Sequence, residues 1–283
     1  MRFDCNGKSL DLTHPQVMGV LNVTPDSFSD GGDFFSLDKA VARALQMEAE
    51  GAAIIDIGGE STRPGAAPVT LEDEIRRVVP VIEALQSRLK VPISIDTRKP
   101  GVMRAAIQAG AGFINDINAL REPGALEVAA GFAVPVCLMH MQGEPRTMQK
   151  DPRYENVVGE VADFLQRRVT ACEQAGVGRE RLLLDPGFGF GKTVAHNLYL
   201  LERLNVLTRL GLPLVVGLSR KSMIARLLGL EPGERLPASI ALAVLAVERG
   251  ARLVRSHDVA ATWQALQMAV ALHTVKSEQR ESL

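Results

Sequence analysis

Aromatic residues make up only 4% of this 283-residue chain: nine Phe, two Tyr and one Trp. A close-packed core must therefore be built from aliphatic side chains, which the 46% hydrophobic content can supply. Cysteine is as scarce. Cys5, Cys137 and Cys172 are odd in number, far apart and at no metal-ligand spacing, which argues against a disulfide framework or a zinc site. Excess charge is missing too: a net charge of -1 and no Lys/Arg block offer nothing to nucleic acid or an anionic membrane surface. Any anionic ligand must then be held by a few placed cations. No apolar run is long enough to span a bilayer, and the opening MRFDCNGKSLDLTH lacks the apolar core of a signal peptide, so a soluble, cytoplasmic protein is expected.

What is present is a repeat of short apolar runs, each ending on a polar or charged residue. They read VMGVLN to Asn22, AAIID to Asp56, PISID to Asp96, GFIND to Asn115 and Asp116, PVCLMH to His140, RLLLD to Asp185, PLVVGLSRK to Lys221, and ARLVRSH to Arg255 and His257. Strands buried on both faces have this continuous Val/Ile/Leu character, and helical stretches separate these ones. Eight such units predict an α/β fold: a single (β/α)8 TIM barrel, one domain over residues 1 to 283, with its working groups at one mouth. The first dozen residues are left over as a hairpin across the base, and the polar tail from Lys276 is expected to fray.

Helix signals fill the intervals. Residues 37 to 50 are led by Ser36 and closed by Gly51, and residues 71 to 89 follow Thr70 with Glu72, Asp73 and Glu74 in the first turn. Further helices are expected near 100 to 109, 123 to 130, 155 to 175, 196 to 204, 221 to 228 with 237 to 249, and 258 to 275. Two connections, Val23 to Phe35 and Gly58 to Val69, exceed the usual two to six residues and are candidate lids, with tolerated surface insertion as the alternative. The stretch DPGFGFGKT at 185 to 193 ends like a phosphate-binding P-loop, but Pro186 stands at the required first glycine and has no amide to offer. A turn that lets backbone and Phe190 approach a flat ligand is one account of this stretch; a plain turn is the other.

Singly, an Asp or Asn after a strand is more often a cap or turn former than a catalyst, and His140 alone reads equally as a structural histidine. Together, Asp56, Asp96, Asn115 and Asp185 would form a carboxylate and amide floor beside a cationic rim of Lys221, Arg255 and His257. The floor suits a heterocycle with several N–H donors, since a carboxylate can accept two parallel hydrogen bonds from an amino-pyrimidine edge. The rim suits phosphate.

The stretches MGVLNVTPDSFSDGG at 18 to 32 and GAAIIDIGGESTRPGA at 51 to 66 resemble the two signature segments of the dihydropteroate synthase family, and DPGFGFGK, GLSRKS and VRSHDV fall where that family has its later motifs. The resemblance covers essentially the whole chain. It implies a barrel enzyme joining 6-hydroxymethyl-7,8-dihydropterin diphosphate to 4-aminobenzoate with release of pyrophosphate. It also implies a pterin pocket of Asp56, Asp96, Asn115, Met139, Asp185 and Lys221, and diphosphate contacts from Asn22, Thr62, Arg63, Arg255 and His257, with Mg2+ at Asn22. The aminobenzoate contacts it implies are Thr62, Pro64, Phe190, Lys221 and Ser222; Asp96, Asp185, Lys221, Arg255 and His257 are the expected catalytic set, and a homodimer is the expected assembly. Ser256 departs from the apolar residue common before the final His. A pterin-dependent methyltransferase-type barrel, a Schiff-base aldolase using Lys221, and a non-catalytic pterin-binding homologue are the alternatives.

Overall fold

A computed structural model describes residues 1–23, 32–61 and 67–281. Strands β1 (Arg2–Cys5) and β2 (Lys8–Asp11) pair antiparallel as a hairpin. The next eight strands, β3 (Gln16–Asn22), β4 (Ile54–Gly58), β5 (Ile93–Asp96), β6 (Phe113–Asp116), β7 (Val136–Met139), β8 (Leu182–Asp185), β9 (Leu214–Gly217) and β10 (Ala251–Ser256), are parallel and close into a barrel in sequence order, β10 pairing with β3. The expected (β/α)8 barrel is therefore the observed fold.

Period-two alternation sorts the strands' side chains. Ile55, Ile57, Ile93, Ile95, Ile114, Val136, Leu138, Leu182, Leu184, Leu214 and Val216 belong to the large cluster shared with the helices. A separate cluster takes Met18, Ile54, Phe113, Cys137, Leu183, Val215 and Leu253 from the strands, with Phe3, Cys5, Leu10 and Leu12 from the hairpin. The hairpin thus plugs the lower end of the barrel. Its backbone comes so close that a Cβ on Gly112 would stand 2.1 Å from the Cys5 carbonyl oxygen. Two residues further along the strands from Ile54, Phe113, Cys137, Leu183, Val215 and Leu253 lie Asp56, Asn115, Met139, Asp185, Gly217 and Arg255. The alternation that fills the base with apolar side chains therefore points the polar ones to the same interior, one layer nearer the mouth.

The helices are α1 (Gly32–Ala49), α2 (Leu71–Gln86), α3 (Pro100–Gln108), α4 (Ala125–Gly131), α5 (Val157–Gln174), α6 (Val194–Glu202), α7 (Ser222–Leu228), α8 (Leu236–Glu248) and α9 (Val259–Glu281). The Thr70 hydroxyl accepts from the Asp73 amide at 3.1 Å, as its position before α2 predicts. Three expectations shift. Ser36, read as a cap, lies inside α1, which begins at Gly32. Lys221 does not continue a strand: β9 stops at Gly217 and Lys221 is the residue before α7. The tail expected to fray from Lys276 is helical to Glu281, in keeping with the helix propensity of its Lys, Glu, Gln and Arg residues. Among the described residues no helix is long and apolar enough to cross a membrane. The cores of both long connections, with Thr62, Arg63 and Pro64, lie outside the described residues.

Candidate active site

A cavity open to solvent occupies the C-terminal mouth and is lined by Asp96, Asn115, Ile117, Met139, Asp185, Gly187, Phe188, Phe190, Gly217, Lys221 and Arg255. One wall is apolar, drawn from a cluster of Ile117, Met139, Met141, Met148 and Phe190. The Lys221 ammonium sits 4.3 Å from the centre of the Phe190 ring, within cation–π range. The Asp96 and Asp185 carboxylates and the Asn115 amide line the same cavity, Met139 of β7 lying beside its register partner Asp185 of β8.

The carboxylates are not equivalent. Asp56 is fully buried, and both of its oxygens are engaged: Oδ1 accepts from the Ser94 hydroxyl at 2.6 Å, and Oδ2 accepts from the Asn115 amide at 3.0 Å and from Arg255 Nε at 2.6 Å. It does not line the cavity. These three donors tie Asp56 to Ser94, Asn115 and Arg255, so that it orients the last two, while Oδ1 keeps acceptor capacity beyond the Ser94 bond. Arg255 is also engaged inside the site, through two of its nitrogens. It lies across the floor, with Nη2 donating to Asp96 Oδ2 at 2.7 Å while Nε donates to Asp56. Burial opposes its charge, but the two carboxylates outweigh that and hold its pKa above the usual guanidinium value. Nη1 takes no part in either bond.

Burial pushes Asp96 up to about 7 despite the opposing pull of Arg255. Asp185 is raised as well, chiefly by burial; its Oδ1 accepts from the Gly187 amide at 2.7 Å. Burial, followed by the neighbouring Arg255, lowers Lys221 to about 8. His257 is pushed down to about 4, first by burial and then by Arg255 and Arg220, which favours the neutral ring. Ser219 Oγ accepts from the His257 amide at 3.3 Å and lies 3.1 Å from Nδ1. If the hydroxyl proton is given to Nδ1, the ring proton stands on Nε2 as a neutral donor. Ser256, the departure beside it, is buried with its hydroxyl 2.8 Å from that of Thr262 and accepting from the Asp258 amide at 3.1 Å. Its polarity is met locally. Asn22 ends β3 half-buried, and Ser222, expected near the aminobenzoate, is exposed at the start of α7; neither they nor His257 line the cavity.

Residues 18–257 match the model of the pterin binding enzyme family. The chain is 54% identical over 280 residues to the dihydropteroate synthase of Escherichia coli strain K12, covering 99% of both chains. This chain belongs to the dihydropteroate synthase family. Among solved structures, the dihydropteroate synthase of Xanthomonas albilineans with 4-aminobenzoic acid superposes with a TM-score of 0.91 at 53% identity, covering 96% of this chain and 98% of that one. The same enzyme in complex with 7,8-dihydropteroate gives 0.89 at 51% identity, covering 96% and 99%.

Several residues that matter to a dihydropteroate synthase pocket were not singled out from the sequence. Ser94 had a signal, since it is the only polar residue inside PISID before its final Asp and shares a strand face with Asp96. Ile117, Phe188 and Gly217 line the cavity but carried none. Arg220, at φ +57, is held by Asp258 and gives its amide to the Ser239 hydroxyl at 3.0 Å; nothing in GLSRKS announces that conformation. His140, read equally as a strand-end reactive group, is structural: its Nδ1 lies 2.9 Å from the Lys192 ammonium and its pKa is driven far down by burial.

Proposed function

We propose that this barrel transfers the pterin methylene of 6-hydroxymethyl-7,8-dihydropterin diphosphate to the amine of 4-aminobenzoate, giving 7,8-dihydropteroate and pyrophosphate. The single observation that carries this reading is the combination of acceptor groups and apolar surface in one cavity: Asp96, Asn115 and Asp185 line it together with Met139, Ile117 and Phe190. A flat ring rich in N–H donors meets both demands, with its edge on the carboxylates and its face on the wall.

The bond that breaks joins the methylene carbon to the diphosphate oxygen, and its electron pair leaves with the diphosphate. The cation left behind is delocalised over the electron-rich dihydropterin, so an SN1-like path needs help chiefly at departure. Asp96 and Asp185 stabilise the positive charge growing on the ring, and Arg255 Nη1, with His257 Nε2 from beside the cavity, would donate to the leaving oxygens, an electrostatic contribution that is commonly several kcal/mol. The arylamine attacks the methylene carbon and then gives its proton to solvent, so no strong general base is required. Lys221, beside Phe190, supplies the cation for the aminobenzoate carboxylate. Thr62, Arg63 and Pro64 complete the expected substrate contacts.

Asn22 would hold Mg2+ through its amide oxygen. Among the described residues no group of three or more His, Cys, Asp or Glu side chains could hold a metal ion. A single amide oxygen suits magnesium, which keeps several waters and binds through substrate phosphates more than through a protein cage. Bound there with the diphosphate, it would neutralise charge on the leaving oxygens. A homodimer is supported by the apolar residues that α7 and α8 leave exposed, Leu227 and Leu228 at 50% and 58% and Leu245 at 42%; sedimentation as a monomer alone would remove it. A cytoplasmic setting is supported by three buried, unpaired cysteines.

Incubation with both substrates and magnesium should release pyrophosphate and dihydropteroate in equal amounts. Pterin bound without pyrophosphate release would instead favour the methyltransferase-type or non-catalytic alternatives. A pH dependence is also expected. Asp96 must be ionised to accept from the pterin, so affinity falls as pH drops through about 7. Lys221 must keep its proton to hold a carboxylate, so aminobenzoate binding falls as pH rises through about 8. The ternary rate should therefore peak between the two, and a flat profile across that window would remove both residues from these roles.

A further inference from the structure

The Gly-Lys-Thr that imitates a P-loop has a different use. Thr193 caps α6, its hydroxyl accepting from the His196 amide at 3.1 Å. Lys192 is 2% exposed, and its ammonium has three partners: His140 Nδ1 at 2.9 Å, the Gly187 carbonyl at 2.9 Å and the Phe190 carbonyl at 3.1 Å. In its protonated form the side chain has three N–H groups and no acceptor, so all its hydrogens are used and His140 Nδ1 is then the acceptor. None of the three partners is a carboxylate. A buried charge without a direct counter-ion is costly, and a side chain kept there must return something for it.

What it holds is the turn from Gly187 to Phe190, both ends of which line the cavity. From outside, Asn197 Oδ1 accepts from the Gly189 amide at 2.7 Å and Gln149 donates to the Gly189 carbonyl, but the Gly187 and Phe190 carbonyls are met from within by Lys192. Gly187, at φ +68, lies so near the His140 carbonyl oxygen that a Cβ would stand 1.8 Å from it, and Gly191, at φ +62, would meet the Gln142 carbonyl oxygen at 2.4 Å. Glycine gives this approach at the expense of stiffness, and the ammonium restores the stiffness from within. The consequences reach the cavity lining. Gly187 N–H fixes Asp185 Oδ1, and Phe190 lies beneath Lys221.

We propose that Lys192 is a positioning residue for the pterin pocket: by tying the Gly187 and Phe190 carbonyls to His140, it sets where Asp185 and Phe190 stand at the cavity wall. This rests on the pterin reading above and goes beyond it by assigning a residue that touches no substrate. Burial lowers the Lys192 pKa to about 7, with Asp185 opposing that fall and Lys221 adding to it. Its charge and the ionisation of Asp185 thus support one another from either side of the turn.

The test compares Lys192→Met, His140→Leu and His140→Asn with the unaltered enzyme in steady-state kinetics. Loss of positioning removes binding felt equally by substrate and transition state, so KM for the pterin diphosphate should rise on the order of 10- to 100-fold with little change in kcat. A role in folding alone would lower the active fraction, and with it kcat, at constant KM. His140→Leu, which removes the acceptor, should reproduce the rise, while His140→Asn, which can place an oxygen near Nδ1, should recover most of it. That pair decides the matter even where Lys192→Met does not fold. A pterin KM within about threefold of the unaltered enzyme in both Lys192→Met and His140→Leu, or in His140→Leu alone if Lys192→Met is insoluble, overturns the proposal. Failure of the unaltered enzyme to make dihydropteroate would instead overturn the function proposed above.

Discussion

Arg255→Ala should damage the fold and the pterin pocket together, and more severely than any other single truncation at the mouth. The guanidinium is shared by Asp56, which is fully buried, and Asp96, which is 14% exposed. Removing it leaves two desolvated carboxylates without their common cation, a situation that costs about 3 to 5 kcal/mol when a buried pair is broken from one side. Asp96, already raised to about 7 with Arg255 present, would rise further without it and be protonated at neutral pH. It would then be a poor acceptor for the ring. A residue that served only the diphosphate would give a different result, weakening the diphosphate substrate while sparing a pterin that lacks it. We expect both ligands to lose affinity, and Arg255→Ala combined with Asp56→Asn to recover part of the thermal stability lost by the single variant. Undiminished binding of the bare pterin by Arg255→Ala would show that the floor stands without its cation.

Asp185→Asn should cost about 2 to 4 kcal/mol in pterin binding or transition-state stabilisation, a loss of roughly 30- to 1000-fold in kcat/KM. The geometry makes the substitution unusually clear. Gly187 N–H donates to Asp185 Oδ1 at 2.7 Å, so in the variant that amide selects the side-chain oxygen and turns the new NH2 toward the position of the second carboxylate oxygen. A donor would then face the donors of the ring. Charge is lost as well, and Lys192 and Lys221, both already lowered by burial, lose the anion that opposes that lowering. Aminobenzoate affinity should suffer only through Lys221. A kcat/KM within a few-fold of the unaltered enzyme would take Asp185 out of the pocket floor.

The architecture was legible because parallel strands buried on both faces need little more than an apolar run of the right length, and all eight runs had one. Which polar residues converge was legible too, since period two places Asp56, Asn115, Asp185 and Arg255 on the same interior. Their division of labour was not. How a carboxylate divides between the protein and a ligand depends on partners from other strands: Asp56 is bonded by Ser94 of β5, Asn115 of β6 and Arg255 of β10. No local pattern encodes that register. Lys192 was hidden for another reason. Its place in a Gly-Lys-Thr invited a question about phosphate, and a buried lysine whose acceptors are mostly backbone carbonyls leaves no trace in the spacing of side chains.

The hairpin of β1 and β2 closes the end of the barrel opposite the cavity, and Met1, 58% exposed, lies beside it. A surface tether attached at the first residue would therefore anchor the molecule by its sealed end and present the mouth outward to the medium. Immobilised this way, for a sensor chip or a flow reactor, the enzyme should keep its access to small ligands. The same hairpin makes the N-terminus a poor place for shortening, because deleting it would open a wet hole under Phe113 and Leu183 at the centre of the barrel.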